Sequence, residues 1–445
     1  MQNREWPRRT AIAAALAVGF GGSAFAAPGD PLGPSQTLVP PGTGDYNLYP
    51  AIARDAAGDG VVVWKGSGIL AQRVGADGTP KGNAFVVDPT PYAGPPDVAM
   101  DDDGDFVVTW AQLHVADTTG VYAQRYHADG SPNGAQLKVA APPDATVGDS
   151  YILSPSVAMD DAGDFVVAWA QGRELKHGSW YSCSYGIGIC TQVGAYAVQM
   201  RRYTGGGTQA QVAQTVDSTG GVDVEVLAVP LVIGSDEGRV GVAMAPDGRF
   251  VVAWDHESEG VSLLSGVYAR AYDADGKAGL KRVVSSQRDQ GVPDVAMSAG
   301  GAYVVTYNRA SRARNDYSEG IYLRRFPAGN GLGSAEVRVD SDTNAQAYGL
   351  KTSVAMDAAG DTVVAWPVGG RIHAQRYANG GGALGINFDV GGAPPNEYGS
   401  FVSPDVAMAP GGDFAVAWGA IWADYSSGPA GVTYTSIDTR YYDGP

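Results

Sequence analysis

Apolar and polar residues alternate with period two along most of the chain, and Asp-Gly or Gly-Gly pairs interrupt the alternation at regular intervals. One phrase recurs seven times: an apolar run, a tight turn, and a second apolar run closing on an aromatic. It reads AIARDAAGDGVVVW at 51–64, VAMDDDGDFVVTW at 98–110, VAMDDAGDFVVAW at 157–169 and VAMAPDGRFVVAW at 242–254. The remaining copies are VAMSAGGAYVVTY at 295–307, VAMDAAGDTVVAW at 354–366 and VAMAPGGDFAVAW at 406–418. In every copy the final Trp or Tyr stands ten positions after the Arg or Met that ends the first run. A fixed internal period of this kind marks a repeat architecture.

A second phrase follows each copy. It is a strand such as ILAQRV (69–74), VYAQRY (121–126) or IHAQRY (372–377), then a Gly-rich turn and a fourth strand such as AQLKV (135–139). Alternation predicts strands throughout, and the Gly residues supply the positive φ that tight hairpins need. Each unit therefore reads as a four-stranded antiparallel meander, A to D. Seven such units predict an all-β, seven-bladed β-propeller with the A strands lining a central channel. A solenoid would need capping units, and the repeats show none. The blades are expected at about 49–88, 95–140, 154–217, 239–286, 292–340, 351–390 and 403–445. The seventh stops after its C strand, IDTRYY (437–442), while GDPLGPSQTLVP (29–40) matches the turn and D strand of other units, such as DGSPNGAQLKVA (129–140). Residues 33–40 are thus expected to complete blade 7, which also protects the sheet edges.

These features resemble seven-bladed propellers closed by strand exchange between their ends. The VAMDxxGDFVVAW…YAQRY phrases are also similar to repeats of exported Gram-negative bacterial proteins of unassigned role. The resemblance covers 29–445 and implies the fold, not an activity. The Asp-Gly turn resembles the sialidase Asp-box, but there the aromatic follows the Gly by about three residues and here by six. No sialidase chemistry is carried over.

Residues 1–26 read as a signal peptide: a basic start, a short apolar run at 11–20, and Ala24-Phe25-Ala26 before a cleavage site. That leaves 27–445 as a single domain, exported to the periplasm or the exterior, with no membrane insertion, since the apolar run is too short to span a bilayer. Arg8-Arg9 leaves a twin-arginine route open beside the general one. The net charge is −17, and about −19 without the leader. Such a surface repels nucleic-acid phosphates and anionic lipid, which excludes both as general partners. The two cysteines, Cys183 and Cys190, are expected to pair in an oxidising compartment and to stabilise their short loop by about 2–3 kcal/mol.

Loop lengths map the two faces of the disc. The A–B and C–D turns are nearly constant. The B–C loops and D–A connections vary: strand-B aromatic to C-strand end takes 10 residues in blade 1, 34 in blade 3 and 24 in blade 7. Loops on a rigid scaffold carry function, so the irregular face is the expected working surface. Its candidate binding residues are Trp180, Tyr181 and Tyr185 in blade 3, Trp422 and Tyr425 in blade 7, and Arg309 and Arg314 in blade 5. Aromatics of this kind suit glycan or protein surfaces, though they also pack long loops. His256, Glu257, Glu259 and Arg312 are the weak catalytic candidates, with a solvated ion-pair network as the alternative. His114, His177 and His256 lie in consecutive blades without a shared offset, so no metal site is assigned. Asp101 to Asp105 resembles part of a calcium loop but lacks its later ligands, and is read as a hairpin turn. The strand-B aromatics are expected to be inter-blade core. The C-strand arginines (Arg73, Arg125, Arg202, Arg325, Arg376) are expected to pair with a turn Asp or a carbonyl. The leading expectation is a monomeric, non-catalytic binding or scaffold protein for a glycan or protein, without a cofactor. The alternative is a polysaccharide hydrolase or lyase using the acidic residues of blade 4.

Overall fold

The computed structural model describes residues 29–42, 47–91, 93–112, 119–141, 150–152, 155–174, 191–218, 224–226, 240–256, 266–286, 290–309, 320–329, 331–340, 351–392, 398–424 and 432–444. Among them every regular element is a strand. Seven antiparallel sheets form in chain order, each a meander running from the channel to the rim. Blade 1 shows the pattern, with strands Leu48–Arg54, Gly60–Lys65, Ile69–Val74 and Phe85–Asp88. The protein is a seven-bladed β-propeller.

The core is divided among the junctions between blades. Seven apolar clusters fill the seven junctions, including the one between blades 7 and 1, where Ile52, Trp64 and Val74 meet Ala415, Ile437 and Tyr441. Each strand-B aromatic faces the preceding blade: Trp110 packs against blade 1 and Trp254, fully buried, against blade 3. Burying such a ring contributes roughly 2–3 kcal/mol, so these residues are architecture, as their fixed place in the repeat implies.

Arginines stitch the junctions on the regular face. Arg73 of blade 1 donates to the Ala128 carbonyl (2.9 Å), and Arg125 of blade 2 to the carbonyls of Gly205 and Gly206. Arg202 of blade 3 reaches the Ala274 carbonyl, and Arg249 of blade 4 reaches Ala299 and Gly300. For Arg73, Arg125 and Arg202 the expected carbonyl partner is thus the C–D turn of the next blade, whereas Arg325 of blade 5 donates to the Thr362 hydroxyl of blade 6 (3.1 Å). The turn glycine under each guanidinium must be small: a Cβ on Gly207, at φ +77°, would lie 2.6 Å from Arg125.

Blade 7 consists of Tyr398–Met408, Phe414–Asp424 and Val432–Tyr442, and Gln36–Gly42 pairs with the last of these as its outer strand. The C–D turn of this blade is rebuilt from both ends of the chain. Asp443 N–H donates to Asp30, Gly29 N–H to Asp443, and Leu32 N–H to Tyr441. Blade 2 makes the same three bonds within one turn, from His127 to Ser131, Gly130 to His127, and Asn133 to Arg125. Gly29 is therefore the counterpart of Gly130, one position away from the sequence match of 29–40 with 129–140. Its contact agrees: a Cβ on Gly29 would fall on the Arg376 guanidinium of blade 6.

Candidate functional site

The A strands enter the channel from the irregular face, and residues from all seven blades meet at that mouth. They enclose a cavity of about 70 Å³ lined by Tyr49 and Pro50, Pro95 to Asp97, Pro155 and Ser156, Val240 and Gly241, Pro293 and Asp294, Lys351, and Asp405. A space of that size has room for only a few water molecules, so a larger ligand must sit over the mouth rather than in it.

The position just before the Val or Ile of each A strand decides the chemistry here. It is Ala51, Asp97, Ser156, Gly241, Asp294, Ser353 and Asp405 in blades 1 to 7. Where that side chain can accept a hydrogen bond, it takes the N–H of the Val or Ile that follows the equivalent position in the next blade. Asp97 accepts from Val157 (2.9 Å), Ser156 from Val242 (3.2 Å), Asp294 from Val354 (2.8 Å), Ser353 from Val406 (3.1 Å) and Asp405 from Ile52 (2.8 Å). Asp97 and Asp294 use their second oxygen on their own strand, at Val98 and Val295. Asp405 also receives the Ser353 hydroxyl and the Lys351 ammonium (3.4 Å).

Three carboxylates thus share one lysine at the mouth. Burial pushes Asp294 up to about 7, with Asp405 raising it and Lys351 opposing. Asp97 is raised for the same reason, with the same two neighbours acting in the same senses. Both remain half-buried by surface area, and contact with channel water softens the desolvation penalty. Backbone strain collects at the same mouth. Among the described residues Tyr49 and Val292 are the non-glycine residues at positive φ, +55° and +51°, and each precedes a proline that lines the cavity. A β-branched residue in this region is a costly conformation, and such strain clusters at functional positions.

The variable segments of blades 3 and 7 do not leave their sheets at the aromatic, as the sequence reading assumed. In blade 3, Phe165–Glu174 and Thr191–Tyr203 continue the hairpin, flanked by Ser150–Ile152 and Val224–Val226. In blade 7, Phe414–Asp424 and Val432–Tyr442 stay paired as far as Asp424 opposite Val432. Trp422 consequently lies inside a sheet extension, 7 % exposed, with its ring stacked 5.9 Å from Tyr434. Arg309 pairs with Glu336, which also accepts from the Tyr307 hydroxyl, and covers the Tyr322 ring at 4.0 Å. His256 ends the strand Phe250–His256, opposite Gly266. Trp180, Tyr181, Tyr185, Cys183, Cys190, Glu257, Glu259, Arg312, Arg314, Tyr425, His114 and His177 lie outside the described residues. Asp101 accepts the N–H groups of Asp103 and Asp105, capping its hairpin turn. Among the described residues no group of three or more His, Cys, Asp or Glu side chains could hold a metal ion. No described helix is long and apolar enough to cross a membrane.

No known family profile matches the chain, and no curated protein sequence matches it. Among solved structures it is similar to the polysaccharide lyase Uly1, with 11 % identity and a TM-score of 0.48 over 88 % of this chain and 89 % of that one. It is similar to the intramolecular trans-sialidase from Ruminococcus gnavus at 10 % identity and TM-score 0.46, covering 79 % and 94 %. It is also similar to the Penicillium chrysogenum α-L-arabinanase at 12 % identity and TM-score 0.42, over 79 % and 94 %.

Proposed function

We propose that the protein is exported and non-catalytic, and that it binds a glycan or a protein on the irregular face. One observation carries this reading: the carboxylates that reach the channel mouth are spent on bonds between blades. Asp97, Asp294 and Asp405 each hold backbone N–H groups, so they act as wall rather than as reagent. Contact then falls to the extended hairpins of blades 3 and 7, whose sequences between the paired strands carry Trp180, Tyr181, Tyr185 and Tyr425. Aromatics on a rigid support give large contact area at low entropic cost.

The second reading is a polysaccharide hydrolase or lyase using His256, Glu257 and Glu259. The proton that Asp294 holds near neutrality favours it, because perturbed carboxyls gather at active sites. One experiment separates the two. The purified chain is titrated against a panel of neutral and acidic polysaccharides, and the mixtures are assayed for new reducing ends and for unsaturated products. Saturable binding that weakens in a Trp180→Ala, Tyr181→Ala double variant, without product, supports the binding reading. Product formation that Glu257→Gln abolishes overturns it.

A further inference from the structure

The C–D turns of blades 2, 3, 4 and 6 share one geometry. In blade 6 the Ala378 N–H donates to the Gly382 carbonyl (2.8 Å) and the Gly381 N–H to the Ala378 carbonyl (2.7 Å). In blade 2 the same two bonds run from His127 to Ser131 and from Gly130 to His127. Asn379 therefore stands where Ala128, Gly205 and Ala274 stand in blades 2, 3 and 4. In those three blades the carbonyl at this position accepts from an arginine of the preceding blade, Arg73, Arg125 or Arg202. Blade 6 lacks that clasp. Arg325 of blade 5 uses Nη1 on the Thr362 hydroxyl, and its Nε and Nη2 make no hydrogen bond. Among the described residues nothing bonds the Asn379 carbonyl or the Gly380 N–H, so the peptide between them is held at neither end.

An asparagine before a glycine can close on the backbone, because glycine sets no Cβ beside the attacking nitrogen and lets the peptide turn freely. Asn379 is exposed; its N–H donates to Asp361 (2.6 Å), and no described group holds its side-chain amide. A Cβ on Gly380 or Gly382 would meet nothing within 4 Å, so the ring has room to form. The Gly380 nitrogen attacks Cγ of Asn379. A new C–N bond forms there, and the bond from Cγ to the side-chain nitrogen breaks. That nitrogen leaves as ammonia with the proton that Gly380 gives up. Water then opens the five-membered imide at either carbonyl, leaving aspartate or isoaspartate, with no change of oxidation state.

The same dipeptide at Asn133-Gly134 is pinned. Asn133 is half-buried, its N–H donates to the Arg125 carbonyl (2.8 Å), and Gln124 donates to the Gly134 carbonyl (3.1 Å). A third pair, at 330–331, has its asparagine outside the described residues. Ring closure needs the Asn-Gly peptide to swing toward the side chain, so local freedom of that peptide sets the rate. We propose that Asn379 is a modification site of this protein, deamidating through an imide with Gly380 because the clasp that pins the equivalent turns is absent. The product places a new carboxylate beside Asp361. Its isoaspartate form adds one main-chain carbon to a turn that packs against Arg325, whose Nε would lie 3.5 Å from a Cβ on Gly381.

The test ages the full chain at mildly alkaline pH and follows it by peptide mass mapping, with isoaspartate methyltransferase labelling as a second reading. The peptide carrying Asn379 converts from amide to acid about five-fold faster than the one carrying Asn133, the scale set by one hydrogen bond of local restraint. Gly380→Ala, whose methyl meets open space, keeps the parent melting temperature and slows the conversion. The deciding variant moves the dipeptide into a clasped turn by Ala128→Asn with Asp129→Gly. The transplanted pair keeps its amide while Arg73 holds that turn, and adding Arg73→Met brings it to the rate of Asn379. The proposal is overturned if Asn379 keeps its amide, if Asn133 converts as fast, if the transplanted pair matches Asn379 with Arg73 in place, or if removing Arg73 leaves the pair slow.

Discussion

Gly29 donates its backbone N–H to the carbonyl of Asp443, 3.1 Å away, across the whole length of the chain. The strand that follows Gly29 covers the outer edge of Val432–Tyr442, and Leu38 and Val39 pack into the junction between blades 7 and 1. Removing residues 27–42 exposes that edge and those two contacts. We expect a loss of about 3–5 kcal/mol and concentration-dependent association through the bare strand, read by thermal unfolding and light scattering. Conversely, a circular permutant that joins Gly444 to Gly29 through one linking residue, the counterpart of Asp129, and opens the chain between Asp275 and Gly276 should fold and unfold cooperatively. A permutant that stays unfolded would show that the rebuilt turn does not replace a continuous one.

The channel carboxyls make stability depend on pH. Asp294 titrates near 7 in the folded protein and near 3.8 when unfolded. Between those values the native state binds the extra proton, so its contribution is full below pH 4 and fades as pH rises through 7. A shift of three units would amount to about 4 kcal/mol. The carboxyl is only half-buried by surface area, and solvent screening reduces the expected loss to about 2 kcal/mol. Urea denaturation of the parent and of Asp294→Asn from pH 4 to 8 checks this: the difference between them should change steadily with pH. Parallel curves would remove Asp294 as the cause.

Trp422 separates packing from recognition. If the ring serves mainly to hold the blade 7 extension, Trp422→Ala costs about 3 kcal/mol and lowers the melting temperature, while Trp422→Phe costs less than half of that. Ligand binding should then fall only as far as the folded fraction falls.

Gly207 tests the arginine stitches. Gly207→Ala meets both a positive φ and the Arg125 guanidinium, and should cost about 2 kcal/mol. In an Arg125→Met background the same change should cost only about 1 kcal/mol, the share due to backbone conformation. Equal costs in both backgrounds would mean that the stitch carries no energy.

The blade count, the buried aromatics and the closing strand were legible because Asp-Gly turns and period-two alternation repeat at fixed spacing. The inter-blade clasps were not. The recurring phrase begins at its Val, one residue after Asp97, Ser156, Asp294, Ser353 and Asp405, and these residues differ in type from blade to blade, so they do not stand out as part of the repeat. A signal was there: Pro50, Pro96, Pro155, Pro293 and Pro404 stand immediately before that position in five of the seven blades. The blade 7 extension was missed for a related reason. Strand Phe414–Asp424 runs on past Trp418, but the repeat ends there, and a stretch without a counterpart in the other blades reads as loop.

The clasp series has two gaps, because Gly241 and Ala51 carry no acceptor. On the irregular face the junctions between blades 4 and 5 and between blades 1 and 2 therefore lack this bond, while Arg249 and Arg73 still hold them on the other face. The clasps thus divide the disc into two arcs, blades 2 to 4 and blades 5 to 1, and where they meet the apolar clusters and bonds such as Gln112 to Asp88 take over the role of the missing acceptor.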